Sequence, residues 1–170
     1  MAIVKHIKSR NANYSDALNY LIFQHDESTG KMILDEFNRP LRRDELYVDG
    51  LNCNPDTFDV ECYECNEHFK KNRNRSEIKS HHYIISYDPT DAIECNLTGE
   101  KAQTLSLELA KKIFPGYQAL IVTHTDGHNG SGNIHTHIVI NSVRKEAVKR
   151  QPYMDKPHEE IAGYKHRSTN

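Results

Sequence analysis

The sequence predicts an α+β fold, a mainly antiparallel central sheet with helices packed against it. Two observations carry that reading. Short apolar runs alternate along the chain with segments of helical period. The last two runs, residues 119–122 and 138–140, flank a stretch rich in Gly, Asn and Asp, the pattern of a strand, a turn and a returning strand. A closing hairpin of this kind is antiparallel, which separates the class from a parallel, doubly wound sheet.

Taken in order, residues 2–8 form a short strand. Ser15 is a suitable N-cap, and residues 16–25 follow as a helix with Ala17, Leu18, Leu21 and Ile22 on its apolar side. Asp16, Tyr20 and Gln24 recur every four residues on a more polar stripe, so periodicity alone makes Tyr20 a tyrosine at the core margin. Residues 26–50 are polar and turn-rich and are read as a loose excursion, with a small hairpin pairing residues 31–34 and 41–48. Asn54-Pro55-Asp56 opens a helix to residue 71, with Phe58, Cys62, Cys65 and Phe69 on one face. Residues 79–87 make a second core strand, ended by Asp88-Pro89. Residues 99–114 are the clearest amphipathic helix, with Ala102, Leu105, Leu109 and Ile113 expected to bury and Lys111 and Lys112 suited to its C-terminal end. Residues 142–170 are basic and weakly periodic, a candidate docking segment.

With 170 residues the chain is long enough to bury one core, and 27% charged residues without a low-complexity tract argue against extended disorder. No apolar run reaches the length of a membrane span and the polar start is no signal peptide, so an intracellular protein without membrane insertion is expected. Net charge is −2, but its distribution is uneven. Residues 26–67 hold twelve acids and four bases, residues 66–82 five bases and two acids, and residues 141–170 seven bases and four acids. The two basic stretches permit a local phosphate-binding surface. Cys53, Cys62, Cys65 and His68 have a formal zinc-site spacing, yet the helical face shared by Cys62 and Cys65 makes them small core residues instead. No Gly-rich phosphate loop, Gly-x-Ser-x-Gly or His-Glu-x-x-His occurs.

The chemistry concentrates in the closing hairpin. Side chains alternate along a strand, so His135, His137, Val139 and Asn141 share one face. If the hairpin is symmetric about Asn129-Gly130, His124 lies opposite His135, with Cβ atoms about 4.5–5.5 Å apart. Three imidazoles then converge, a site for one divalent cation with open coordination positions. A slip of one residue would send His124 to the other face. His128 is read as a solvated loop residue. His81 and His82, on the neighbouring strand, are expected to support or pack beside the cluster.

His124-Thr-Asp126 followed by Asn133-Ile-His135-Thr-His137-Ile-Val-Ile-Asn141 resembles the three-histidine motif of HUH-type mobilization relaxases. The closest likeness is to the MobA/MobL- and VirD-like branch found on plasmids and integrative conjugative elements. Residues 2–8 with Ala17-Leu-Asn-Tyr20 are similar to that branch's nucleophile segment, and Ser80-His-His-Tyr-Ile-Ile-Ser86 to its central strand motif. The resemblance spans nearly the whole chain. The long turn at 126–132 departs from it, and the acidic excursion has no role it transfers.

The resemblance implies an HUH endonuclease-like fold and a site- and strand-specific nickase of single-stranded or hairpin DNA at a transfer origin. A tyrosine, here Tyr20 with Tyr14 as the alternative, would form a 5′-phosphotyrosyl intermediate. A divalent cation, Mg or Mn with Zn also considered, would sit on His124, His135 and His137. Asp126, the nearest carboxylate in sequence, is assigned as hydrogen-bond acceptor for a ligand imidazole, a turn role being the alternative. Lys70, Lys71, Arg73, Arg75, Lys79, Arg144, Lys145, Lys149 and Arg150 are the candidate DNA contacts. Residues 1–170 would be one nuclease domain at the start of a longer protein, with 142–170 as a DNA-docking tail. Accessory DNA-processing and coupling proteins are the expected partners, in the bacterial cytoplasm. The rival readings are an HUH replication initiator or transposase, a three-histidine zinc hydrolase without a covalent intermediate, and, more remotely, a DNA-binding module without catalysis.

Overall fold

The computed structural model describes residues 2–26, 28–126, 133–151 and 156–166. The predicted turn at Asn129-Gly130 and His128 lie outside these residues. Five antiparallel strands form one sheet: β1 (Ile3–Ser9), β2 (Leu46–Leu51), β3 (Ser80–Ser86), β4 (Tyr117–His124) and β5 (His135–Arg144), in the spatial order β1-β3-β5-β4-β2. The helices are α1 (Tyr14–Ile22), α2 (Phe58–His68) after a 3-10 turn, the short α3 (Pro89–Glu94), and α4 (Gly99–Ile113). The predicted α+β class with its antiparallel sheet is the observed one.

β4 and β5 lie at the centre and bury both faces, which is why each carries an apolar run without alternation, residues 119–122 and 138–140. On one face Leu120, Val122 and Val139 pack against Tyr14 and Leu21 of α1 and Phe58 and Cys62 of α2. On the other, Ala119, Ile121, Ile138 and Ile140 meet Ala110 and Phe114 at the end of α4. Cys62 and Cys65 are thus core residues, and all four cysteines are free.

Several elements differ from expectation. Asn13, not Ser15, caps α1, accepting from Ser15 N at 3.1 Å, and α1 ends at Ile22. Ser15 Oγ donates instead to Asp59, tying α1 to the start of α2. α2 stops at His68 because Lys70 and Asn72 take left-handed conformations (φ 54° and 60°), which no helix continues through. The expected pairing of 31–34 with 41–48 is confined to its closed end, where Leu34 bridges Pro40 and Leu41 N donates to Ile33 O at 2.9 Å, beside the isolated bridges Phe23–Arg42 and His25–Met32. Residues 46–51 instead join the main sheet beside β4, Leu46 opposite His124. Gly50 is required there, since a Cβ would stand 2.2 Å from Cys53 O.

α4 presents a different face from the one its leucines suggest. Leu105 is 53% exposed, while Ala102, Gln103, Ser106 and Ala110 are buried. Gln103 decides the rotation. Its Nε2 donates to Asp49 Oδ2 at 2.8 Å and Ile121 O at 3.1 Å, and its Oε1 accepts from Thr123 Oγ1 at 2.6 Å. The small neighbours let the helix axis approach the sheet closely enough for those bonds. Residues 156–166 fold back on the end of β5, with Arg144 N donating to Tyr164 O at 2.8 Å and His166 N to Ser142 O at 2.7 Å.

Candidate metal centre and cleft

His124 and His135 face each other as cross-strand partners at the end of the sheet, and His137 lies two residues along β5 on the same face. All three are buried, and one ligand atom from each lies within 4.8 Å of the others. Among the described residues this is the group of His, Cys, Asp and Glu side chains close enough to share one ion.

The second nitrogen of each ring is engaged, which fixes its orientation. His124 Nε2 is 2.7 Å from Leu21 O at the end of α1, leaving Nδ1 toward His135 Nε2 at 3.2 Å. His135 Nδ1 is 3.1 Å from Asn133 O. His137 Nδ1 is 2.8 Å from His82 Nε2 on β3. Burial is the largest cause lowering the pKa of His124 to about 4, against the opposing Leu21 carbonyl, and burial followed by Lys5 lowers His82 to about 4. His124 and His82 are therefore neutral near pH 7, and neutral is the state a metal-ligating imidazole needs. Three inward, oriented imidazole nitrogens fit a divalent cation with open positions.

Two clefts meet at this cluster. One, about 930 Å³, lies under the 23–45 excursion and is lined by Tyr20, His25, Arg43 and the three histidines, among others. The other, about 550 Å³, runs over β1 and β3, and Tyr20, His135 and His137 border both. Tyr20, 43% exposed near the C-terminal end of α1, has its ring 5.5 Å from that of His25.

Tyr14 stands elsewhere. It is buried, its Oη lying 2.8 Å from Lys79 O and 3.1 Å from Asn141 Oδ1 and accepting from Asn66 Nδ2 at 2.9 Å. Asn141 is six residues along β5 from His135, roughly 20 Å at 3.3–3.4 Å per residue. Burial raises the Tyr14 pKa far above its ordinary value. Asn141 is a core hydrogen-bonding residue at the end of the sheet remote from the histidines.

Asp126 is not the acceptor for a ligand imidazole. It is half exposed and pairs with Arg43 Nη1 at 2.6 Å, while backbone carbonyls and His82 serve the rings. His82, expected to support or pack beside the cluster, supports it by carrying one of those ring contacts. Arg43, separated from Asp126 by 83 positions, has no local signal in the sequence.

The candidate DNA contacts divide. Lys70, Lys71, Arg73, Arg75, Lys149 and Arg150 are exposed, with Arg73 paired to Glu67 at 3.1 Å. Lys79 and Arg144 are corrected to internal roles. Lys79 is buried with Nζ donating to Asn74 O at 2.6 Å, and Arg144 is buried with Nη1 donating to Glu159 O at 2.8 Å over the Tyr117 ring. Lys145 binds Asn52 O and Glu61. Since Ser80 pairs with Asn141 and Tyr117 with Arg144, the basic segments lie at the end of the sheet away from the histidines.

The chain matches the family model described as the nuclease domain of MobA/VirD2-like relaxases over residues 33–161. Two curated Staphylococcus aureus proteins, each named Protein rlx, are 35% identical over 101 residues and 36% identical over 105. These alignments cover 57% and 59% of this chain but 27% and 28% of the relatives, so the chain spans little more than a quarter of their length. A third Protein rlx from the same organism is 38% identical over 72 residues, 42% of the chain and 19% of that protein. No solved structure matches. No helix among the described residues is long and apolar enough to cross a membrane. With most of its length under that model, the chain belongs to the MobA/VirD2-like relaxase nuclease-domain family.

Proposed function

We propose that the chain is the catalytic part of a metal-dependent relaxase that nicks one strand of DNA at a transfer origin during mobilization. The observation that carries this reading is the convergence of Tyr20 and the three-histidine cluster on one cleft end. His124, His135 and His137 would hold a divalent cation, Mg²⁺ or Mn²⁺ with Zn²⁺ as the alternative, which would supply charge neutralisation at a non-bridging oxygen of the scissile phosphate.

Tyr20 Oη attacks phosphorus from the cleft wall. The Oη–P bond forms, the P–O3′ bond breaks, the phenolic proton leaves to water and the 3′ oxygen takes one up. The product is a 5′-phosphotyrosyl link and a free 3′-hydroxyl, and the retained ester lets rejoining proceed without a nucleotide cofactor. Both tyrosines lie in α1, but only Tyr20 is exposed on the clefts that the histidines border, which supports its choice over the buried Tyr14, because attack in line demands an accessible hydroxyl. The ring contacts of Leu21 O, Asn133 O and His82 keep the ligand nitrogens aimed inward. The exposed Lys70, Lys71, Arg73, Arg75, Lys149 and Arg150 are candidate contacts for DNA beyond the cleft.

The test is a denaturing gel of labelled single-stranded origin DNA with protein and Mg²⁺ or Mn²⁺. The wild type is expected to give a protein-linked band that survives denaturant, Tyr14→Phe to keep it, and Tyr20→Phe to lose it while binding DNA within a few-fold. A nucleotide mapped to the Tyr14 peptide overturns the nucleophile, and cleavage without any adduct favours a three-histidine hydrolase instead.

A further inference from the structure

The two clefts that meet at Tyr20 differ in charge. The lining of the larger one carries the carboxylates of Asp26, Asp44, Glu45 and Asp126, with Arg43 already paired to Asp126. The lining of the smaller one carries Lys5 and no carboxylate, beside the apolar Ile7 and Ile84 and the hydroxyl of Ser86. In a chain of net charge −2, this is a local reversal of sign next to the cluster.

The same strip of sheet is short of cover. On the histidine-bearing face, α1 and α2 seal β4 and β5 through Leu21, Phe58 and Cys62 against Leu120, Val122 and Val139. On that face of β1, Ile3 stays 68% exposed and Ile7 39%. Register puts Lys5 opposite Ile84 and Ile7 opposite His82, so basic and apolar side chains alternate across two adjacent strands. The far end of the pair, at Ser9 and Ser80, adjoins the exposed 73–76 segment, where Arg10 Nε donates to Ser76 O at 3.1 Å. An apolar strip with a cation on it, continuous with a phosphate-cleaving site, suits a single strand: phosphates pair with the cation and bases cover the apolar surface.

We propose that the DNA strand on one side of the scissile phosphate lies along the β1–β3 trough, with Lys5 as its phosphate contact, and not in the carboxylate-lined cleft. This rests on the nickase reading for the position of the scissile phosphate. The trough itself is tested without cleavage.

The probe is fluorescein-labelled dT20, titrated by anisotropy with EDTA present so that no nicking occurs, across a range of salt. Lys5 is exposed, so Lys5→Glu and Lys5→Arg are expected to fold, which circular dichroism checks. Lys5→Glu is expected to weaken binding about tenfold and to reduce the slope of log K against log salt by roughly 0.7, one single-strand phosphate contact. Lys5→Arg is expected to retain affinity and slope, and Asp44→Asn in the other cleft to stay within twofold. Binding by Lys5→Glu within twofold of wild type overturns the proposal. So does an Asp44→Asn change as large as that of Lys5→Glu, which would move the strand into the other cleft. Failure to form any covalent adduct with DNA is a separate result that counts against the nickase reading and leaves these affinities to be read by themselves.

Discussion

His82 holds the ring of His137 through its Nε2–Nδ1 contact, so the metal centre depends on a residue that need not touch the ion. Substituting His82→Phe keeps a ring of similar bulk and removes that hydrogen bond. Partners of this kind are typically worth about 10–100-fold in metal affinity. Titration with Mn²⁺ or Zn²⁺ is expected to show a loss of that order with the fold unchanged; full affinity would demote His82 to packing. His135→Ala removes a ligand outright and is expected to abolish stoichiometric metal. It should leave apo stability equal or higher, since the cluster buries three imidazoles with no ion between them. Full stoichiometry in that variant would refute the assignment. The cluster was legible in the sequence because strand periodicity is two and the opposed residues His124 and His135 sit at matching positions about a turn. Of its hydrogen-bond partners only His82 was. Leu21 O and Asn133 O are backbone atoms that carry no residue signature, and the proximity of Asp126 in sequence suggested the wrong acceptor. Lys79 and Arg144 misled in the opposite sense, because their charge marks them as surface residues and only the fold shows their hydrogen bonds spent inside.

At the scale of elements, α4 shows where binary patterning fails. Its leucines predict one face, but a polar side chain with three bonds to make sets another. Gln103 satisfies Asp49 and Thr123, both on strands that pack under the helix. Gln103→Ala removes the amide bonds to Asp49 and Ile121 O and leaves Thr123 only its Thr136 partner at 2.7 Å, and a buried group left unsatisfied costs about 1–3 kcal/mol. Leu105→Ser, at a half-exposed position, belongs with surface changes of about ±0.5 kcal/mol. Urea unfolding of the two variants checks the ordering, and a larger loss for Leu105→Ser would restore the face the leucines suggest. β2 was hidden for a related reason. Asp49 and Gly50 interrupt its apolar pattern, the first because Gln103 answers it and the second because Cys53 O comes too close for a Cβ. The central strands needed no such context, since each carries a short unbroken apolar run, residues 119–122 in β4 and 138–140 in β5, buried on both faces.

Across the whole molecule, histidines are buried on both faces of the sheet, and they make its stability depend on pH in a definite direction. On the face away from the metal cluster, His81 is buried between His6, whose Nε2 lies 3.0 Å from His81 Nδ1, and the ring of His166 at 4.8 Å. Its Nε2 is buried without a hydrogen-bond partner. Burial is the largest cause lowering its pKa to about 3, followed by the nearby His166, His6, Lys8 and Lys165. His82 and His124 on the opposite face are lowered to about 4, again chiefly by burial. In the unfolded chain each takes up a proton near pH 6.5. Between that value and the folded pKa the unfolded state therefore binds more protons, and stability falls as pH falls. Their contribution is complete above pH 6.5 and is lost progressively down to about pH 4 for His82 and His124, and about pH 3 for His81. Metal-free protein is expected to show a urea midpoint that is flat near pH 7 to 8 and declines steadily from pH 6.5 to 4. Replacing His81→Leu removes one of the three titrations, leaves His6 at the half-buried edge where water can reach it, and is expected to make that decline shallower. A midpoint constant from pH 7 to 4.5 in the wild type, or a His81→Leu decline as steep as the wild type's, would show that these imidazoles are protonated in the folded protein and that burial does not hold them neutral.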